Sequence, residues 1–207
     1  LQWARRYGSA AEERAMAIAV DGEGAAVLVG YFKGQLSLGG SDLFTAGDGD
    51  IFVAKYSKAG DPIWARRFGG PGNDAGQAVA VDAQGNIVVT GYCADGCDLG
   101  MGPQMSAGKN DAFVLKLSSG GAPLWSKLFG SAEPDTGSGI TVDAQGQITV
   151  VGGYAGSIDP GGGPISSGGK DDAFVVQYAA DGKARWAHSF GGPGNDDAIG
   201  VDRKSVV

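Results

Sequence analysis

Four tryptophans, Trp3, Trp64, Trp125 and Trp186, stand 61 residues apart, and the text around them returns with them: WARRYGS, WARRFGGPGND, WSKLFGSAEPD and WAHSFGGPGND. Downstream, AIAVDGEG aligns with AVAVDAQGN and GITVDAQGQ, and DIFVAKY with DAFVLKL and DAFVVQY. Three units superpose without a gap, so Asp21, Asp82 and Asp143 coincide, as do Gly30, Gly91 and Gly152. Asp50, Asp111 and Asp172 coincide as well, and so do Phe52, Phe113 and Phe174. A fixed period of this kind marks a chain built from one supersecondary unit, each copy burying its apolar surface against the next. The repeats are 3–63, 64–124 and 125–185, with a partial fourth at 186–207.

Each unit reads as four short strands, at 63–68, 78–82, 87–92 and 111–117 in the second, rich in the β-branched and aromatic residues that strands favour. The D-A-Q-G joint between the second and third runs supplies an Asx-type start and a glycine for positive φ, as a hairpin requires. Along 78–81 small and branched residues alternate, so both faces are apolar and the sheet is expected to be covered on both sides. Glycine accounts for 39 of 207 residues, against a usual share of about 7 %, which argues against long helices. No segment carries a sustained 3.6-residue apolar period. A four-stranded unit buried on both faces and repeated at this spacing predicts an all-β fold, a β-propeller made of 61-residue blades. A right-handed β-helix has much shorter coils, and a transmembrane barrel alternates polar and apolar faces without such a period.

The string W-x-x-x-F-G-G-x-G-x-D, followed by a V-D-A-x-G-N-I-x-V-T-G stretch and then D-A-F-V-x-K, resembles the bacterial SBBP-type β-propeller repeats of exported and cell-surface proteins. The segment 156–175, GSIDPGGGPISSGGKDDAFV, is similar to variants in large secreted proteins of myxobacteria and related bacteria. The resemblance covers the chain to about Asp202 and implies a propeller scaffold outside the cytoplasm, at the cell surface, in the periplasm or beyond. It brings no catalytic motif with it.

A closed ring normally needs at least four blades. Strand connectivity gives blades at about 16–68, 77–129 and 138–190, leaving 3–7 and 198–207 over. These leftovers are expected either to pair as an abbreviated fourth blade or to belong to a larger propeller. A second copy could also complete the ring, through self-association at open blade edges. The tail departs from the pattern, with D-R-K-S in place of D-A-Q-G. The start at Leu1, without methionine or a basic and apolar leader, reads as a processed product or an excised piece.

The formal charge is −7 with the basic residues scattered, which excludes the positive footprint that nucleic acid or an anionic membrane needs. No apolar run approaches 18 residues, so no membrane insertion by a helix is expected. Because the repeats define a background, chemistry is sought where they differ. Cys93 and Cys97 replace Phe32 and Leu36 of the first repeat and Tyr154 and Ile158 of the third. A disulfide between them is sterically allowed across the intervening turn, would contribute about 2 kcal/mol by loop entropy, and implies an oxidising compartment. Free thiols are the alternative, and a metal site needs more ligands than two cysteines supply. His188, the single histidine, takes the slot of Arg5, Arg66 and Lys127 and reads as a surface strand residue.

No catalytic residue is singled out: G-x-S-x-G is absent, and the glycine-rich strings lack the context of a phosphate loop. The recurrent aspartates read as backbone caps. Asp48-Gly49-Asp50 and Asp171-Asp172 resemble oxygen-rich calcium loops only weakly, lacking the full ligand ladder, so no cofactor is expected beyond that faint calcium signal. The most variable region is the excursion between the third and fourth strands, at 33–49, 94–110 and 155–171. It carries Asp42, Phe44, Asp95, Asp98, Met101, Met105 and Asp159, the candidate ligand-binding residues, on loops of the kind where binding diversity sits. The expected function is a non-enzymatic binding or structural module engaging a protein or glycan. One alternative is a carbohydrate-active or lyase-type enzyme, which would bring repeat-breaking acids within about 5–10 Å of one another. The other is a purely structural segment of a larger surface protein.

Overall fold

A computed structural model describes residues 4–202. It is all β, and its architecture is three four-stranded antiparallel sheets in chain order. The first holds β1 (Glu13–Val20), β2 (Ala26–Phe32), β5 (Asp50–Tyr56) and β6 (Pro62–Phe68). The second holds β7 (Ala75–Val81), β8 (Ile87–Ala94), β11 (Asn110–Leu117) and β12 (Pro123–Phe129). The third holds β13 (Thr136–Val142), β14 (Ile148–Ile158), β15 (Ile165–Tyr178) and β16 (Ala184–Phe190). Each sheet is a meander from the Ala-Val strand to the Trp strand, which is the blade of a β-propeller.

The hairpin chemistry is what the sequence implies. Asp21 Oδ1 accepts the amides of Glu23 and Ala25 at 3.0 and 2.8 Å, and Asp82 and Asp143 repeat the arrangement on 84 and 86 and on 145 and 147. Each inner strand carries a β-bulge, between Ala15 and Ala17, Gly76 and Ala78, and Gly137 and Gly139. The bulge explains the recurrent glycine opposite it: a Cβ on Gly30, Gly91 or Gly152 would collide with the carbonyl of Arg14, Ala75 or Thr136. It also starts β7 at Ala75 rather than at the expected residue 78, because the irregular register hides the first residues from the alternation.

The core lies between blades. Val27, Val29, Ile51 and Val53 of the first pack against Val79, Val89, Phe113 and Leu115 of the second. Val88, Ala112 and Val114 of the second pack against Ile140, Val150, Phe174 and Val176 of the third. The expectation of a sheet covered on both sides holds for β7 and β13 and fails for β1, where Met16, Ile18 and Val20 are exposed. Of the leftover segments, Trp3 and 203–207 lie outside the described residues, and the rest forms no strand. Tyr7 stacks on Tyr56 with ring centroids 5.3 Å apart, and a Cβ on Gly139 would meet Gly200 and Val201. Each segment therefore lies along the outer blade nearest to it.

Candidate functional site

The excursions between the two middle strands are hairpins rather than open loops. In the first blade β3 (Gln35–Leu36) pairs with β4 (Leu43–Phe44), and in the second β9 (Cys97–Asp98) pairs with β10 (Pro103–Gln104). In the third, β14 and β15 themselves run on, pairing Ser157 with Ser166 and Ile158 with Ile165. Each hairpin is tied to its own blade: Tyr56 Oη donates to Leu38 O at 3.0 Å, Tyr178 Oη to Pro160 O at 2.8 Å, and Gln104 Nε2 to Ser126 Oγ at 2.9 Å. Burial raises the Tyr56 hydroxyl to about 12 and the Tyr178 hydroxyl further, so both stay protonated donors.

The candidate residues divide between turn chemistry and open surface. Asp98 Oδ1 accepts the amides of Gly100 and Gly102, and Asp159 Oδ1, one repeat on, accepts those of Gly161 and Gly163. Asp42 accepts from Gln35 Nε2 at 2.7 Å. Asp95 holds φ +53° where the equivalent Gly34 and Gly156 hold +68° and +70°, so it fills a left-handed turn position. Phe44, Met101 and Met105 are exposed. These acids are spread over the hairpins of three blades. Cys93 and Cys97 form a disulfide, both buried, in the slots that Phe32 with Leu36 and Tyr154 with Ile158 fill elsewhere. Among the described residues one trio, Asp74 with Cys93 and Cys97, brings potential ligand atoms within 4.8 Å of one another, and its two sulfurs are the disulfide.

The blade junctions hold what the sequence reading missed. The F-G-G-P-G-N-D stretch leaves the outer strand, and Asp74 at its end accepts the amides of Gly70 at 2.7 Å and Ala94 at 2.9 Å, while its own amide donates to Gly49 O at 2.8 Å. Asp135 repeats this with Ser131, Ala155 and the carbonyl of Asn110. Beside them lie the strand-start aspartates, and these are the caps that were expected. Oδ2 of Asp50, Asp111 and Asp172 accepts the amide of Ala46, Ala107 and Gly168 respectively, at 2.8, 2.8 and 2.9 Å. In all three, Oδ1 is buried with no hydrogen-bond partner.

A Cβ on Gly69 would lie 2.6 Å from Asp74 Oδ2 and 3.0 Å from Asp50 Oδ1, so two buried carboxylates converge there. Burial first, and the neighbouring carboxylate in smaller measure, pushes Asp74 and Asp135 up to about 6, and burial alone raises Asp111. Arg67 Nη1 donates to Asp50 Oδ2 at 2.6 Å, but its counterparts one and two repeats on are Leu128 and Ser189. The signal available in the sequence was the recurrence of the aspartate in G-x-G-N-D and S-A-E-P-D. Its convergence with a residue 24 positions earlier was not readable there.

On the opposite side of the sheets, Lys55 Nζ meets Asp21 at 2.9 Å and Lys116 Nζ meets Asp82 at 3.2 Å, both pairs buried. The hydrogen bond from Lys55 holds the Asp21 carboxyl below its usual range. For Asp82, burial pushes the other way but is outweighed by hydrogen bonds from Asn86 and Lys116.

Residues 63–92 match the SBBP β-propeller repeat family. The chain is 28 % identical over 163 residues to the regulatory protein FlaEY of Caulobacter vibrioides, an alignment covering 75 % of this chain and 17 % of that protein. It is 21 % identical over 231 residues to an uncharacterized WD repeat-containing protein, L264, of Acanthamoeba polyphaga mimivirus, covering 93 % of this chain and 17 % of that one. The chain thus spans less than a fifth of the length of these curated relatives. The matched segment runs from β6 through the joint to β8, and the same unit recurs along the chain at a period of 61 residues. Over this segment the chain is similar to the SBBP β-propeller repeat, and its four-stranded sheets are those of β-propeller blades.

Proposed function

We propose that this chain is a non-enzymatic protein-binding module of a larger exported bacterial protein, recognising its partner through the hairpin excursions. The observation that carries the reading is the exposure of Phe44, Met101 and Met105 on hairpins anchored to their own blades by hydrogen bonds. Large apolar side chains held outward on a rigid scaffold are the anchors of protein recognition. The names of the two relatives, a regulatory protein and a WD repeat protein, are in keeping with a role in interaction. The buried disulfide favours an oxidising compartment, and no helix of the described residues is long and apolar enough to cross a membrane.

The enzymatic alternative draws less support. The variable acids are dispersed, and the acids that do converge, Asp50 with Asp74 and Asp111 with Asp135, are buried beneath the junction glycines. The test is a peptide array and a glycan array probed with the full chain and with the variant Phe44→Ser, Met101→Ser, Met105→Ser. Peptide binding that the variant loses supports the reading. Glycan binding alone, or peptide binding that the variant retains, overturns it, and silence on both arrays favours a structural segment.

A further inference from the structure

The second blade junction buries two carboxylates and brings no basic side chain to either. Asp111 is 2 % and Asp135 1 % exposed, and both border the space that the missing side chain of Gly130 leaves. Asp135 is held by donors at both oxygens: Ser131 N at Oδ2, and Ala155 N at 3.2 Å with Ser131 Oγ at 3.4 Å at Oδ1. Asp111 takes the amide of Ala107 at Oδ2. Its Oδ1, which faces the same space, is buried with no hydrogen-bond partner. Buried charges persist in proteins where they are paired or hold a metal. Among the described residues the neighbouring lysines engage other acids, Lys109 with Glu133 and Lys116 with Asp82, and no ion pair reaches Asp111 or Asp135.

The first junction shows what the second lacks. There Asp50 and Asp74 converge at Gly69 in the same way, both buried, and Asp50 Oδ1 is again without a partner. Arg67 Nη1 donates to Asp50 Oδ2 at 2.6 Å, so the chain itself delivers a cation to that pair. One repeat on, the slot holds Leu128, whose side chain packs against the core. The second junction keeps both carboxylates and loses the guanidinium. The donor atoms differ too. Asp74 lies close to Cys93 and Cys97, whereas the same slots of the third blade hold Tyr154 and Ile158. The side-chain donors at the second junction are therefore carboxylate oxygens with no sulfur among them, which selects a hard cation, and two carboxylates balance a divalent one.

We propose that Asp111 and Asp135 bind a calcium ion, with Asp111 Oδ1 and Asp135 Oδ2 among its ligands, in the role that the Arg67 guanidinium fills at the first junction. Calcium suits the site better than magnesium, which demands a near-ideal octahedron and gives up its water reluctantly, while calcium accepts irregular oxygen sets. Asp111 stands near the start of β11 and Asp135 immediately before β13, so the ion clamps the second blade to the third. With two acids, the site belongs among weak calcium sites, of about 10⁻⁴–10⁻³ M.

The experiment strips the full chain with EDTA and melts it at neutral pH with and without millimolar calcium chloride, with sodium chloride at the same ionic strength as the control. Calcium should raise the melting temperature by about 3–6 °C, and equilibrium dialysis counts the ions bound. Asp111→Asn should remove the shift together with one bound ion. Leu128→Arg, which copies the first junction and leaves both carboxylates in place, should remove it as well. Arg67→Leu should do the opposite and add an ion. Circular dichroism in EDTA verifies that each variant folds, and because the two losses come from independent changes, either folded variant decides. An absent shift, an equal shift with sodium chloride, a shift that survives Leu128→Arg, or an unchanged ion count in Arg67→Leu overturns the proposal.

Discussion

Asp111 and Asp135 turn their carboxylates toward one another above Gly130, where a side-chain carbon would lie 2.6 Å from Asp111 Oδ1 and 2.8 Å from Asp135 Oδ2. Glycine at this position is a requirement of space, since Gly130 does not have a positive φ. Gly130→Ala must spread the two carboxylates and pull at the loop that joins the second and third blades. The expected cost is about 1–3 kcal/mol, as for other overpacked sites, read from the urea midpoint at constant m-value. A substitution with no effect would show that the junction is not close-packed.

The same pairs predict an unusual pH profile. Asp74 and Asp135 have folded values of about 6, above the 3.8 of a free aspartate. Their contribution is therefore fully present below pH 4 and is lost as pH rises toward and through 6. Arg67 faces the first pair and moderates it, whereas Leu128 stands in that slot at the second. The chain should lose stability between pH 4.5 and 7.5, by something on the order of 1–3 kcal/mol per pair. Asp135→Asn should flatten the slope. Asp21 and Asp82, held low by their partners, work in the opposite sense but in a separate window, below about pH 4. Urea titrations at intervals of pH test this, and a flat profile from 4.5 to 7.5 would refute it.

Cys93 and Cys97 fill a slot that the other repeats fill with bulky apolar pairs. Reduction should lower the melting temperature of the native chain, by the equivalent of about 2 kcal/mol for so short a loop. Cys93→Tyr with Cys97→Ile, copying the third repeat, should fold and be indifferent to reductant. A swap that remains sensitive to reductant would place the effect elsewhere.

Lys116 and Asp82 form a buried pair, and the Lys116 ammonium also donates to Ala180 O at 3.3 Å across the junction. Lys116→Met leaves Asp82 without its cation and should cost about 3–5 kcal/mol. The third repeat carries Gln177 in this slot, and Gln177 donates to Thr149 instead. Lys116→Gln should accordingly be the milder change. Equal losses in the two variants, measured by urea denaturation, would argue against a charge effect.

Asp95 is the one non-glycine residue described at positive φ, in a turn where the other repeats have glycine. Asp95→Gly should raise stability by about 0.5–1 kcal/mol if the carboxylate has no further role, because the left-handed strain is relieved. A loss of stability would mean that the side chain makes a contact of value.

The repeat determined the architecture. Alternation of small and branched residues, turn aspartates with glycine two or three places on, and exact recurrence at 61 residues specify a four-stranded blade, because these are local properties of hydrogen bonding and side-chain direction. What the candidate residues do was less legible. Asp98 and Asp159 vary from the first repeat and so drew notice, yet both cap turns, and capping depends on backbone geometry that residue type alone leaves open. The start of β7 was obscured by its bulge, which shifts the register on which any alternation is read.

The sequence by itself determined the strands, the order of the meander and the equivalence of its copies, since each follows from contacts within a single unit. Only the tertiary structure decided what happens between units. It brought Asp50 to Asp74 and Asp111 to Asp135, buried Phe68 and left Phe190 open, and exposed Ile18 where Val79 is covered. Identical residues differ in these respects because burial is a property of the neighbour that supplies the other surface, and a periodic sequence presents the same text whether or not that neighbour is there.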